Sequence, residues 1–164
     1  MTEEMELRLR KVRAVVLDVD GVLTDGGMYY GLEGEELKKF NSRDGMGVRL
    51  LRDAGIEVAI ITGENSQAVA RRAKKLKIEE VHLGIEEKLP VLQDFASRKG
   101  FDPDEIAYMG DDVNDLLCLG WVGLSAAPSD AMPPVLSVAR LITERKGGEG
   151  AVREFADQIL SVRS

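Results

Sequence analysis

AVVLDVDGVLTDGG, residues 14–27, runs from four apolar residues into two carboxylates one position apart and then straight into glycine. A short continuous apolar run bounded by turn residues is the pattern of a strand buried on both faces. In an extended chain Asp18 and Asp20 project from one side and Val19 from the other, so a rigid core strand would deliver a pair of acids together.

Similar runs recur along the chain. Val12–Leu17, Glu57–Ile61, Glu80–Leu83, Ile106–Met109, Val122–Leu124 and Leu141–Ile142 are the expected strands. Between them Gly45–Ala54, Asn65–Leu76, Lys88–Lys99 and Asp112–Leu119 carry apolar residues at helical spacing, and Gly55, Gly100 and Gly120 stand where helices should stop. Strands alternating with helices predict an α/β fold, a Rossmann-like parallel sheet sandwiched by helices, with ligands bound beyond the carboxyl ends of the strands. GGMYYGLEGEELKKFN, about residues 26–41, breaks the alternation. It reads as a β-hairpin flap after the first strand.

At 164 residues the expectation is one domain, residues 1–164, large enough to bury a core without disulfides. The balance of 22 Lys and Arg against 29 Asp and Glu gives a net charge of −7, which argues against nucleic acid and anionic membrane as partners. A lone cysteine, a charged start (MTEEMELRLRK) and the lack of any bilayer-length apolar run point to a cytoplasmic protein. Cys118 and Trp121 read as packing residues, and His82, without a partner at metal-ligand spacing, as structural.

A second acidic cluster, GDDVND at 110–115, follows the strand IAYM and places Asp111, Asp112 and Asp115 at another carboxyl end. Two carboxylates about 4 Å apart repel by roughly 4 kcal/mol at an effective dielectric of about 20, so clusters converging on one crevice need protons or a cation. Hard oxygen ligands of this kind suit Mg²⁺. An EF-hand calcium loop fits less well, because Val22 takes its third ligand position. Thr62 and Gly63 end the strand EVAII where a phosphate could meet backbone N–H groups, and Lys88 opposes the dipole at the start of a helix. Taken singly these features have plainer readings: DVDG as a turn, Thr62 as a helix cap, Lys88 as solvated surface, DDVND as a helix start.

In this chain order DVDGVLTDG, TGE, Lys88 and GDDVND resemble the haloacid dehalogenase-like superfamily, over essentially the whole chain. The resemblance implies a phosphatase with Asp18 as nucleophile forming an aspartyl-phosphate and Asp20 as acid and then base. It also implies Thr62 and Lys88 on the phosphoryl oxygens, and Mg²⁺ on Asp18, the Asp20 carbonyl and Asp111. Only 44 positions separate Asp18 from Thr62 and 26 separate Thr62 from Lys88, leaving no room for a cap domain.

DGVLTDGGMYYG, FNSRDGMGVRLL and GGEGAVRE look like the branch that holds 3-deoxy-D-manno-octulosonate 8-phosphate phosphatases and their nononate 9-phosphate relatives. That branch implies a sugar-acid phosphate as substrate, lipopolysaccharide or sialic acid-type sugar biosynthesis, and a homotetramer whose hairpins cover adjacent sites. Asn41, Arg43, Asp44, Gly45 and Arg49 fall in its substrate-contacting region. Typical octulosonate phosphatases read Thr-Gly-Arg where this chain reads Thr62-Gly63-Glu64; the nononate 9-phosphate relatives carry Glu there, with basic residues at the spacings of Arg72 and Lys75. That departure favours the longer sugar acid. Two other readings use the same residues: a phospho-acceptor signalling domain, whose acceptor Asp follows a later strand, and an inactive scaffold of the same fold.

Overall fold

Ala14–Leu17 forms β1, the centre of the protein, with all four residues buried. The fold is that of a computed structural model, which describes residues 1–34 and 36–163; Glu35, inside the expected hairpin, and Ser164, the end of the expected domain, lie outside the described residues. β1 pairs in parallel with Glu57–Ile61 (β4) on one side and Ile106–Met109 (β6) on the other. Glu80–His82 (β5), Leu124–Ala127 (β7) and Leu141–Ile142 (β8) complete a six-stranded parallel sheet in the order β5-β4-β1-β6-β7-β8. β2 (Tyr29–Tyr30) and β3 (Glu36–Leu37) form the separate antiparallel hairpin.

Alternation along β1 divides the core. Val15 and Leu17 join a cluster with Val48, Leu51, Val69 and Phe155, whereas Ala14 and Val16 face Leu92, Phe95, Cys118 and Val135. The first layer is built by α1 (Glu3–Lys11), α2 (Ser42–Asp53), α3 (Gln67–Lys75) and α7 (Ala151–Ser161). The second is built by α4 (Lys88–Lys99), α5 (Leu116–Trp121) and the one-turn α6 (Pro133–Leu136). The sequence expectation of a helix-sandwiched parallel sheet is met, and the strand order reverses direction at β1, which puts a crevice at its carboxyl end.

Several boundaries differ. The strand expected at Val122–Leu124 begins only at Leu124, because the Val122 N–H still bonds the carbonyl of Cys118 at 3.2 Å and closes α5. The helix expected over Asp112–Leu119 divides into a 3₁₀ turn, Val113–Asp115, and α5, which continues through Gly120. α1 and α6 were not expected. No helix among the described residues is long and apolar enough to cross a membrane.

One edge of the sheet is tied by charge. Glu80 accepts from both terminal nitrogens of Arg98, at 2.9 and 3.1 Å, and lies 3.1 Å from His82 Nε2. The Arg98 hydrogen bonds outweigh burial and hold the Glu80 carboxyl at about 2, below its ordinary 4.5. A depressed carboxylate contributes stability above its unfolded pKa and loses it as pH falls toward the folded one. Glu80→Gln should therefore lower Tm at pH 7 by about 2–4 °C, on the order of 1 kcal/mol after solvent screening. Melts followed by circular dichroism should show the gap to wild type closing as pH drops from about 4.5 toward 2; a gap independent of pH would remove this role.

Candidate active site

The chain remains in register one residue beyond β1, where the Asp18 N–H bonds the carbonyl of Met109 at 3.0 Å. It then turns sharply. The amides of Val22, Leu23 and Thr24 all converge on the carbonyl of Val19, at 2.9–3.1 Å, and buried Thr24 accepts through Oγ1 from Gly21 and Gly26. The turn, rather than continuous strand, brings Asp18 and Asp20 to one cleft of about 360 Å³. Thr62, Gly63 and Glu64 from the end of β4 and Asp111, Asp112 and Asn114 from the end of β6 line the same cleft. Gly21, at φ +81°, lets the turn close against Asp111: a β-carbon there would lie 1.9 Å from Asp111 Oδ2. Its freedom makes room for that carboxylate.

Beneath the cleft Lys88, the first residue of α4 and only 2% exposed, places Nζ 3.1 Å from Asp18 Oδ1 and 2.8 Å from Asp115 Oδ1. Asp115 is fully buried and fully engaged. Its Oδ1 also accepts from the Tyr108 hydroxyl at 2.6 Å, and Oδ2 accepts from the amides of Asp111 (3.0 Å) and Asp112 (3.4 Å). With four donors, Asp115 anchors Lys88 and shapes the 110–115 turn. Sequence reading did not find Tyr108 or this anchoring, since neither follows from local spacing.

The electrostatics are those of three carboxylates crowded about a single buried ammonium. Burial, then the charge of Asp115, push the Asp18 carboxyl well up against the opposing pull of Lys88. Burial, Asp115 and Asp112 raise Asp111 to about 7. Lys88, although burial pulls it down, is carried above its ordinary value by Asp18 and Asp115 and stays charged. The same surroundings push the Cys118 thiol, buried and near Asp115, up to about 12, which makes it inert and agrees with a packing role. Oxygens of Asp18, Asp111 and Asp115 lie within 4.8 Å of one another. Once the donors on Asp115 are counted, Asp18 and Asp111 are left as hard, all-oxygen ligands, a set that fits Mg²⁺.

A model of the haloacid dehalogenase-like hydrolase family matches residues 81–155. The chain is 42% identical over 160 residues to the 3-deoxy-D-manno-octulosonate 8-phosphate phosphatase of Yersinia pestis, covering 98% of this chain and 86% of that one. It belongs to the haloacid dehalogenase-like hydrolases. Among solved haloacid dehalogenase-like structures, that of the Y. pestis phosphatase superposes with a TM-score of 0.97 at 41% identity, over 99% of this chain and 88% of that one. The 3-deoxy-D-manno-octulosonate 8-phosphate phosphatase of Moraxella catarrhalis, in complex with magnesium, phosphate and a KDO molecule, superposes with a TM-score of 0.96 at 36% identity, over 99% of this chain and 93% of that one.

The residues expected to contact substrate are spread more widely. Glu64 lines the acidic cleft. Asn41 caps α2, accepting from Arg43 N at 2.8 Å and donating through Nδ2 to the carbonyl of Gly148 at 3.1 Å. Asp44 is buried, and its two oxygens accept from the amides of Gly150 (3.3 Å) and Arg153 (2.9 Å), so it ties α2 to the start of α7 instead of facing the cleft. Arg43 opens onto a surface hollow beside Arg145 and Arg153. Gly45 packs under Arg72, and with Arg49 and Lys75 these residues line a basic groove between α2 and α3. Arg72 is fixed there by a 3.1 Å bond to the carbonyl of Asn41 and by the Phe40 ring.

Proposed function

We propose that this single-domain hydrolase is a Mg²⁺-dependent phosphatase that cleaves the phosphate monoester of 3-deoxy-D-manno-octulosonate 8-phosphate through an aspartyl-phosphate on Asp18. The observation that carries the reading is the convergence of Asp18, Asp20, Thr62 and Asp111 on one cleft over a Lys88 ammonium 3.1 Å from Asp18. Names of the Y. pestis and M. catarrhalis relatives supply the substrate. The carboxylates of Asp18 and Asp111 and the Asp20 carbonyl would hold Mg²⁺, which when bound would supply positive charge for an anionic nucleophile meeting an anionic ester.

Asp18, desolvated and held by the Val19 N–H at 2.7 Å, attacks phosphorus while Asp20 gives its proton to the departing sugar oxygen. Asp20 then takes a proton from the water that opens the acyl-phosphate. Lys88 cannot drift, because Asp115 fixes it. It offsets charge on Asp18 and the phosphoryl oxygens, while the Thr62 hydroxyl provides a polar contact for those oxygens.

Glu64 in the cleft favours a second reading, a nononate 9-phosphate as substrate. Arg72 and Lys75 line both the groove between α2 and α3 and a hollow beside Lys38 under the hairpin, which a neighbouring copy would close over the sugar acid. A homotetramer joined through the hairpins would provide one, and exposed Tyr29, Tyr30, Leu32 and Leu37 support that assembly.

Initial rates of phosphate release should decide among substrates. Octulosonate 8-phosphate or nononate 9-phosphate should exceed glucose 6-phosphate by at least about tenfold in kcat/KM, because losing a charge-assisted contact costs about 1.5–3 kcal/mol. The faster of the two acids names the substrate; equal rates on all three would reject the sugar-acid assignment and leave the phosphatase standing.

A further inference from the structure

Lys38 leaves the hairpin just past β3 and has no exposed side-chain surface. Its ammonium sits 2.7 Å from Asp20 Oδ1 and 2.7 Å from Glu36 Oε1. An immobilised lysine gives up much of its rotamer entropy, so a shielded one on a surface hairpin is there for its contacts. Among the described residues the hairpin's other ties are two residues per strand, an isolated bridge from Thr24 to Phe40, Phe40 packed against the core under Arg72, a side-chain hydrogen bond between Ser66 and Glu36, and a longer Lys39–Asp25 pair at 3.7 Å. Asp20 projects from a turn, and Oδ2 is left without a protein hydrogen bond among the described residues. Lys38 thus fixes one oxygen of a cleft-lining carboxylate and leaves the other to the cleft.

We propose that Lys38 is a positioning residue that clamps Asp20 through Oδ1, so that seating the hairpin and aiming the proton-transferring carboxylate are a single event. The proposal rests on the phosphatase reading for what Asp20 does, and on geometry alone for the clamp.

Lys38→Met, Lys38→Arg, Asp20→Asn and the Asp20→Asn/Lys38→Met double variant test it. Lys38→Met should lower kcat on octulosonate 8-phosphate about tenfold or more with KM within about threefold, and Lys38→Arg should restore part of that loss. In the Asp20→Asn background the same change should cost no more than about twofold, since a residue acting through Asp20 has nothing left to aim. A full additional loss in the double variant, or a kcat within about twofold of wild type for Lys38→Met, would overturn the proposal. Hydrogen exchange gives an arm that needs no turnover. Amides of residues 28–34 and 36–40 should exchange several-fold faster in Lys38→Met and in Asp20→Asn, and no faster in the double variant. Unchanged exchange in either single variant would refute the clamp. A wild-type chain that releases no phosphate would defeat the phosphatase reading instead, and exchange would still decide whether the clamp exists.

Discussion

Asp18→Asn should abolish phosphate release, lowering kcat by at least about 10³–10⁴-fold, while leaving the fold as stable as wild type or more so when no Mg²⁺ is added. The two halves have one cause. Asp18 is 5% exposed and faces Asp115 and Asp111, so burial and like charge together outweigh the attraction of Lys88 and push its carboxyl up. A carboxylate whose folded pKa is raised loses stability as pH climbs from its unfolded value to its folded one and carries the full cost above that, and an amide of the same shape removes the cost. Lys88 keeps its 2.8 Å partner in Asp115 and is not left alone. Added Mg²⁺ should reverse the order. At about 100 times its Kd a ligand that binds only the folded state contributes roughly 2.7 kcal/mol, which the variant, short of one ligand, should largely forgo. Phosphate assays with thermal melts at zero and saturating Mg²⁺ test both halves. More than one phosphate released per wild-type chain also excludes the phospho-acceptor domain, which would stop at a stable single phosphorylation; turnover by Asp18→Asn would remove the nucleophile from Asp18.

Where burial is symmetrical and caps are local, the fold was readable from sequence. β1, β4 and β6 are apolar on both faces and announced themselves as continuous runs; α4 ends at Lys99 as expected because Gly100 adopts the left-handed conformation at φ 70°. α1 was hidden by charge, since Leu9 is its one fully buried residue and Arg–Glu pairs cover the rest. α7 carried a usable signal in Ala151, Val152, Phe155, Ala156 and Ile159, all buried on one face. The acids were legible because they recur at strand ends, and Lys88 because a cation at a helix start opposes the dipole. Thr24, Lys38 and Tyr108 were not, since each matters through a partner that only the folded chain brings near. Asp44 is the instructive case. It falls in the region that contacts substrate in the branch the sequence resembles, whereas its oxygens are spent on amides more than a hundred positions away.

Those same distant amides explain the segment GGEGAVRE. The loop before α7 lies directly behind the catalytic turn: the Gly148 N–H bonds the carbonyl of Val22 at 3.0 Å, the Gly147 N–H bonds Asp130 Oδ1 at 3.0 Å, and a β-carbon on Gly147 would fall 1.8 Å from the carbonyl oxygen of Gly21. The obstacle is backbone against backbone, which no rotamer change relieves. Gly147→Ala must either lift the loop, at the expense of both hydrogen bonds, or drive the Gly21 turn toward Asp111, whose carboxylate already fills the space beside it. Overpacking of this kind costs about 1–3 kcal/mol, or roughly 3–10 °C in Tm, and a displacement near 1 Å at a reacting centre can cost about 10²-fold. The expected result is a folded protein with a lowered Tm and kcat reduced by at least about tenfold. Gly120→Ala provides the control. It adds the same methyl to an exposed position of α5 with nothing within 4 Å, and helix propensity should leave the chain unchanged or slightly more stable, by up to about 1 kcal/mol. Wild-type activity in Gly147→Ala would mean that the catalytic turn holds its shape without support from the C-terminal loop.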